Sequence, residues 1–273
     1  MAGSFYPSDP KELSALIVDC FQGPVGPRRL PPAPEGKASI VSVVSPHAGY
    51  VYSGPVAAHS YLHASSLRSP DILVVVAPHH YGIGSGVATF KEGDWETPLG
   101  TLRVDSDATL QLTKEFEEVE FDPQSQSREH SLEVQLPFLQ HLYGASVPLL
   151  PVSMLFQDEE TARSLGAALA RILKGRKAVL VASSDLTHYE PAAAAMEKDS
   201  ALIQELVTMD LGAFYSALER LGVTACGYGP KAAVMEASKR LGLDQCEPLK
   251  YATSGDTAGD NLQVVGYASL RFV

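Results

Sequence analysis

The chain has 273 residues and a mass of 29.1 kDa, with 45% hydrophobic and 19% charged residues, which is the composition of a globular protein. This length is compatible with one α/β domain or two small ones, and we predict one domain over 1–273. A formal net charge of −11 argues against nucleic acid or an anionic membrane as the main partner. No apolar stretch approaches the roughly 20 residues of a membrane helix. The first ten residues also lack the basic and apolar regions of a signal peptide, so we expect a cytoplasmic protein.

The first third of the chain alternates helices with strongly apolar strands. A helix is expected from Pro10 to about Phe21, capped by the preceding polar residue, and the Pro/Gly-rich stretch Gly23–Gly36 is expected to be a surface loop. Apolar strands are predicted at Ile40–Ser45 and from Ile72 to Ala77, separated by a helix from Gly54 to about Ala64. Because neither strand alternates polar with apolar residues, each is expected to be a parallel strand buried on both faces.

The middle of the chain predicts shorter β segments and two helices. Gly86–Phe90 and Thr101–Asp105 are expected as strands, with Trp95–Gly100 as a turn between them, which indicates antiparallel additions to the sheet. Helices are expected over Ser106–Glu117 and over Arg128–Leu142, despite Pro137.

The remaining elements complete an α/β pattern. Strands are expected at Val147–Ser153, from Lys177 to Ser183, at Glu247–Thr253 and at Val264–Phe272, and helices at Asp158–Leu173, Ala192–Met209, Leu211–Leu221 and Pro230–Leu241. Strands that alternate with helices predict an α/β fold with a mixed, mostly parallel central sheet and helices on both faces.

Three of the apolar strands end in short polar turns that carry histidine. His47 follows the first strand, His79 and His80 follow the second, and Asp185 and His188 follow the strand from Lys177. In an open α/β sheet the ligand crevice lies beyond the carboxyl ends of the strands. If these strands are neighbours, their histidines converge on one pocket and predict a metal or acid/base site.

Cys226 is the cysteine with a functional context. It lies in the glycine-rich segment Thr224–Pro230, which opens a helix, and a thiol at a helix N-terminus tends towards the thiolate. Two imidazoles and one anionic ligand are the requirement for a mononuclear non-haem iron site. We expect His47 and His79 to supply the imidazoles and Cys226 the anion. A thiolate shifts the preference towards copper or zinc without excluding ferrous iron.

Two further pairs leave alternatives open. Asp185 and His188 could form a capping pair at a helix start, or an acid/base imidazole tuned by a carboxylate. His130 and Glu133 lie one helical turn apart and could be a surface pair or face one cleft.

At these residues the chain resembles the Memo family, whose bacterial and archaeal members are called AmmeMemoRadiSam system protein B. The resemblance spans nearly the whole chain and rests on ordered motifs: Ala2-Gly-Ser-Phe-Tyr-Pro7, Pro46-His-Ala-Gly-Tyr50, Ala77-Pro-His-His80, Glu129-His-Ser-Leu-Glu-Val-Gln-Leu-Pro137, Ser183-Ser-Asp-Leu-Thr-His188, Cys226-Gly-Tyr-Gly-Pro230, Ser254-Gly-Asp-Thr-Ala-Gly-Asp260 and Val265-Gly-Tyr-Ala268.

The family is similar in fold to LigB-type class III extradiol dioxygenases, which cleave catechols at a ferrous ion held by two histidines and a glutamate. The resemblance implies His47 and His79 as the histidine ligands, with Cys226 in place of the glutamate, and it favours His79 over His80. It implies His188 as the acid/base residue, supported by Asp185. We also expect Tyr50, His80, His130 and Glu133 to line the pocket.

The resemblance gives two functional expectations. One is metal-dependent redox chemistry on a small molecule, with iron(II) as the leading metal and copper or zinc as alternatives, together with a radical-SAM enzyme and an Ammecr-type protein. The other is a non-catalytic adaptor that keeps a vestigial pocket for a peptide or small ligand. The change from glutamate to Cys226 separates this site from the ring-cleaving enzymes.

Overall fold

A computed structural model describes residues 1–32 and 38–273. The strands are β1 (Ile40–Ser45), β2 (Ile72–Pro78), β3 (Val87–Thr89), β4 (Asp94–Thr97), β5 (Gly100–Arg103), β6 (Val119–Phe121), β7 (Leu149–Met154), β8 (Ala178–Ser183), β9 (His188–Glu190), β10 (Cys246–Thr253) and β11 (Val264–Phe272). The helices are α1 (Pro10–Gln22), α2 (Tyr50–Ala64), α3 (Ser106–Glu115), α4 (Leu136–Tyr143), α5 (Glu159–Leu173), α6 (Ala192–Val207), α7 (Leu211–Leu221), α8 (Tyr228–Arg240) and α9 (Ser254–Ala258). Two short 3-10 helices span Pro123–Gln126 and Glu133–Gln135.

The central sheet is mixed, with a parallel core. Its strand order is β10-β11-β1-β8-β2-β7-β3-β6, with β9 paired to β11, while β4 and β5 form a separate hairpin. The neighbours β1, β8, β2 and β7 are parallel. The strands β11 and β10 extend one side antiparallel, and β3 is antiparallel to β7. The predicted mixed sheet is therefore confirmed, with its parallel pairings concentrated among the four central strands.

Helices cover both faces because consecutive strand residues point to opposite sides. In β2, Ile72, Val74 and Val76 enter the core cluster that also holds buried residues of α5 and α8. Leu73, Val75 and Ala77 enter the cluster that holds residues of α1, α2 and α4. Burial on both faces explains why this strand reads as a continuous apolar run.

The histidine-bearing turns lie side by side at one sheet edge. The middle strand β8 pairs in parallel with β1 from Ile40↔Ala178 to Ser45↔Ser183, and with β2 from Ile72↔Ala178 to Val76↔Ala182. The carboxyl ends of all three strands therefore meet, as the convergence of their histidines requires.

Some element boundaries differ from those predicted. Helix α2 begins at Tyr50 rather than Gly54, and Pro55 lies inside it. The missing N–H of Pro55 would have bonded the carbonyl of Val51. Since Val51 is exposed, solvent can satisfy that carbonyl.

The predicted helix from Arg128 begins only at Glu133 as a 3-10 helix and at Leu136 as α4. The main-chain N–H groups of His130 and Ser131 bond the Glu129 carboxylate, so the chain turns around that side chain before the helix starts. The strands β4, β6 and β9 and the helix α9 are too short to show a period in the sequence. Residues 33–36 of the predicted surface loop lie outside the described residues.

Among the helices of residues 1–32 and 38–273, none has the length and apolar character needed to cross a membrane.

Gly166 sets the close approach of α5 to α8. A Cβ at this position would lie 2.5 Å from the Ala233 carbonyl oxygen and 2.6 Å from the Glu236 Cβ. We expect Gly166→Ala to lower the free energy of unfolding by about 1–3 kcal/mol, because overpacking outweighs the helix-propensity gain. Urea unfolding measures this effect. Gly212→Ala in α7 is the matched control, since its nearest contact would be 3.4 Å from Asp210, and we expect no loss there. Equal losses in both variants would contradict the role of Gly166.

Candidate metal site

His47, His80 and Cys226 form the centre of a polar group at the carboxyl edge of the sheet. One ligand atom from each lies within 4.8 Å of the others, so the three side chains could hold one metal ion. The shortest contact joins His47 Nε2 to Cys226 Sγ at 3.1 Å. His47 is 2% exposed. His47 is therefore the buried member of the group, whereas Cys226 is partly buried and His80 is exposed.

The orientation of His47 is fixed by a buried hydrogen-bond chain. The hydroxyl of Ser183 donates to the Ser131 carbonyl at 2.7 Å, so it can only accept from His47 Nδ1 at 2.8 Å and from Gln135 Nε2 at 2.9 Å. Tyr61 in turn donates to Gln135 Oε1, which fixes the amide orientation. His47 is therefore protonated on Nδ1, and its Nε2 lone pair faces Cys226.

The carboxylate of Glu129 orients His80. It accepts the main-chain N–H of His80 at 2.7 Å and His80 Nδ1 at 3.0 Å, as well as the N–H groups of His130 and Ser131. Burial alone would raise the pKa of Glu129, but the donors from His80 and Ser131 hold that pKa well below its ordinary value. An ionised carboxylate only accepts, so His80 donates from Nδ1, and in the neutral ring the lone pair lies on Nε2.

The structure separates His79 from His80. His79 continues the pairing of β2 with β7, since its main-chain N–H bonds the Met154 carbonyl at 2.9 Å. Its ring is 7% exposed, and its Nδ1 has no hydrogen-bond partner among the described residues. Of the two rings, that of His80 joins the group with His47 and Cys226 among the described residues. The arrangement therefore favours His80, where the sequence favoured His79.

Asp185 lies directly behind His47. Its carboxylate accepts the main-chain N–H of His47 at 2.8 Å, and its second oxygen is 3.9 Å from His47 Nε2. Burial raises the pKa of Asp185 to about 7. The side chain can therefore exchange a proton near neutral pH.

His188 is oriented by main-chain carbonyls rather than by Asp185. Its Nδ1 bonds the carbonyls of Leu186 at 2.7 Å and Thr224 at 3.0 Å, which places the proton on Nδ1. A ring nitrogen of His188, a carboxylate oxygen of Asp185 and the sulfur of Cys226 lie within 4.8 Å of one another. Burial lowers the pKa of His188, so the ring is a neutral base at physiological pH.

Cys226 comes from the loop before α8. The next residue, Gly227, has φ 71°, and a Cβ there would lie 2.4 Å from the Ser183 carbonyl oxygen. Only glycine lets this loop lie against the end of β8. Burial, followed by the charge of Asp185, raises the pKa of the Cys226 thiol. Burial therefore opposes the helix N-terminus, which by itself would favour the thiolate.

Comparisons with known proteins identify the family. A family model described as "Memo-like protein" matches residues 1–271. The chain belongs to the Memo family. It is 44% identical over 274 residues to a MEMO1 family protein of Methanopyrus kandleri, covering 100% of this chain and 97% of the relative. It is 45% identical over 273 residues to a MEMO1 family protein of Nitrosopumilus maritimus, covering 100% and 98%.

A solved structure shares the fold. It is titled as an uncharacterized protein, JW3007, from Escherichia coli K12, with a TM-score of 0.57 and 15% identity, and the match covers 85% of this chain and 99% of that one. This likeness supports the α/β fold of the Memo chain and carries nothing about its chemistry.

The other expected pocket residues of the Memo chain have different positions. His130 stacks on His80 with ring centroids 5.0 Å apart and joins His80 and Glu129 in a second group that could hold a metal. Tyr50 is buried and donates to the Val134 carbonyl. Glu133 accepts from the Met1 amino group and from the Tyr6 hydroxyl, so it fixes the N-terminal segment rather than joining these groups.

Glu129 is the residue that the sequence interpretation missed. It is 1% exposed and orients His80. The available signal was an acidic residue directly before His130 in the segment Glu129-His-Ser-Leu. The helical spacing from His130 indicated Glu133 instead. Because Glu133 begins a 3-10 helix, its side chain does not join the metal group.

Replacing the buried carboxylate tests its anchoring role. We expect Glu129→Gln to lower the free energy of unfolding at pH 7 by about 2 kcal/mol, since charge-assisted hydrogen bonds are lost. The pKa of Glu129 is depressed in the folded protein, so its contribution is complete above the ordinary carboxyl pKa and shrinks as pH falls. Urea unfolding at pH 7 and at pH 4 should show a smaller gap at the lower pH. The exposed Glu117→Gln should show no gap, and an equal gap at both pH values would contradict the assignment.

Proposed function

We propose that this Memo protein carries out metal-dependent redox chemistry on a small molecule, with the ion held by His47, His80 and Cys226. The observation that carries the proposal is the tautomer of the two histidines. Ser183 and Glu129 accept hydrogen bonds from the Nδ1–H groups of His47 and His80, so in the neutral rings the lone pairs lie on Nε2, and a ring nitrogen of each histidine lies within 4.8 Å of the Cys226 sulfur. Metal-ligating histidines characteristically donate their other ring N–H to a supporting acceptor.

The donor set fits a metal with open coordination positions. Two imidazoles and a thiolate leave room for a substrate on a four-coordinate or larger ion. Iron(II) is the leading choice, with copper or zinc as alternatives favoured by the soft sulfur ligand. Such an ion supplies Lewis acidity and, for iron or copper, electron transfer.

His188 and Asp185 supply the proton transfer in this proposal. His188 holds its proton on Nδ1 through two carbonyls, so its Nε2 is free to accept a proton from a bound substrate. Asp185, with a pKa of about 7, is suited to hold or release a proton beside His47. The two groups give the site a base and an acid that operate near neutral pH.

The wider setting follows from the family resemblance. We propose a cytoplasmic protein whose product or substrate is shared with a radical-SAM enzyme, and with an Ammecr-type protein as a further partner. The three cysteines are all free, which suits a reducing compartment. A radical-SAM gene beside the gene for this chain would support the partnership.

Metal analysis tests the ligand assignment. We expect untagged wild-type protein to retain close to one ion per chain, and His80→Ala and Cys226→Ala to lose it. The loss should exceed the roughly 10–100-fold that removal of a supporting residue costs. Elemental analysis after dialysis, with circular dichroism as a fold check, measures this. His79→Ala is the matched control and should keep its metal.

Two outcomes would contradict the assignment. Loss of metal in His79→Ala but not in His80→Ala would restore the assignment favoured by the sequence. A metal content below stoichiometry that none of the variants changes would argue against the metal site and favour the binding-protein alternative.

Oxygen uptake tests the redox proposal. We expect iron-loaded protein to consume oxygen with at least one small reductant from a panel that includes catechols. His188→Gln should lower this rate by roughly 10²–10⁴-fold with metal content unchanged, because it removes the base. An oxygen electrode and metal analysis on the same samples measure both quantities. An intact metal site without uptake on any catechol would argue against dioxygenase chemistry.

A further inference from the structure

Lys231 is a buried lysine close to the candidate metal group. Its side chain is 1% exposed, and its Nζ has no hydrogen-bond partner among the described residues. It lies in the first turns of α8, five residues after Cys226.

The position on α8 directs Lys231 towards the sheet. Lys231 and Ser238 are seven residues apart and therefore share one face of the helix. The Ser238 hydroxyl donates to Ser42 of β1 at 2.7 Å, so this face packs on the sheet. The ionisable groups that interact with the ammonium are Cys226, Asp199 and Asp185.

Asp199 is already engaged by other donors. It accepts from the Thr187 N–H and hydroxyl and from the Tyr251 hydroxyl. Cys226 and Asp185 belong to the candidate site. The charge of Lys231 therefore acts on two groups of the candidate site, Cys226 and Asp185, as well as on Asp199.

A lysine in this position costs stability. Burial lowers the pKa of Lys231 to about 8, while Cys226, Asp199 and Asp185 oppose the shift. At pH 7 the side chain is still charged. A buried ammonium without a hydrogen-bond acceptor is unfavourable, and a hydrophobic residue of similar size would be more stable. Such a cost, borne beside a candidate site, indicates a role in that site.

The role follows from the charge that the site gains. Binding of a divalent ion adds two charges and releases the Cys226 proton, so the net gain is one positive charge. Oxidation of that ion by one electron adds one more. A fixed ammonium opposes both changes.

We propose that Lys231 is a charge-tuning positioning residue that holds a redox-active ion in its lower oxidation state at the His47, His80 and Cys226 site. This inference rests on the proposed metal function. In this proposal Lys231 tunes the reduction potential of the site and does not contact the metal or the substrate.

The test compares Lys231→Met with the same substitution at Lys239. Lys239 is exposed on the same helix, about 12 Å further along its axis, and is the matched charge control. We expect Lys231→Met to bind Zn²⁺ about tenfold more tightly in a chelator competition at pH 7. The reduction potential of the iron-loaded protein should fall by about 60 mV, the one-electron equivalent of a tenfold change. Lys239→Met should change neither value.

Stability of the metal-free protein gives a separate readout. The folded-state pKa of Lys231 lies below its ordinary value, so this group reduces stability increasingly as pH falls from 10.5 towards 8. Metal-free Lys231→Met should therefore melt at a higher temperature than wild type at pH 7. Lys231→Gln serves as a second neutral variant and should show the same zinc and iron effects.

The outcomes separate the two proposals. Wild-type protein that binds neither zinc nor iron overturns the proposed function itself. Wild-type binding with unchanged or weaker zinc affinity and an unchanged potential in both neutral variants overturns the role of Lys231. A raised melting temperature without those two effects also overturns it, since a merely structural lysine would behave in that way.

Discussion

The parallel pairing of β8 with both β1 and β2 is the constraint on which the site depends. Each strand delivers one polar turn to the same edge, and the register fixes how far each turn extends. Ser183, the last residue of β8, lies opposite Ser45 of β1, and its hydroxyl accepts a hydrogen bond from His47 Nδ1–H. A slip of the register by one residue would turn this hydroxyl to the other face of the sheet. The sheet pairing therefore selects the histidine tautomer as well as its position.

The second constraint is that these polar groups lie in a buried environment, where each needs a partner. The Glu129 carboxylate accepts hydrogen bonds from several N–H groups at once. These bonds keep the carboxylate ionised and His80 oriented. Gln135 does the same between Ser183 and Tyr61. Satisfied networks of this kind are rigid, because breaking one bond leaves a desolvated group without a partner. The positions of the proposed ligands are thus fixed by the protein itself.

The fold was more predictable from the sequence than the site. The apolar runs of β1, β2 and β8 are long and have no polar alternation, so burial on both faces followed directly from their composition. The choice between His79 and His80 was different, because both follow the same Pro78. It depends on where the chain leaves the sheet and on the carboxylate of Glu129, which is 49 residues away in sequence. Periodicity carries no information on such a contact.

The protonation state of Cys226 is likewise difficult to predict from the sequence, and it affects how the site would bind a metal. The sequence places this thiol before a helix, which lowers a thiol pKa, while the fold buries it beside Asp185, which raises the pKa. The second effect depends on tertiary packing. An ion bound at His47, His80 and Cys226 would replace the thiol proton and compensate the charge of the buried thiolate, so metal affinity should increase with pH as the released proton becomes easier to remove. If an ion binds only the assembled site, the same coupling would stabilise the folded chain in proportion to the logarithm of metal concentration. The sheet edge that brings these residues together would then be stabilised by an ion bound there.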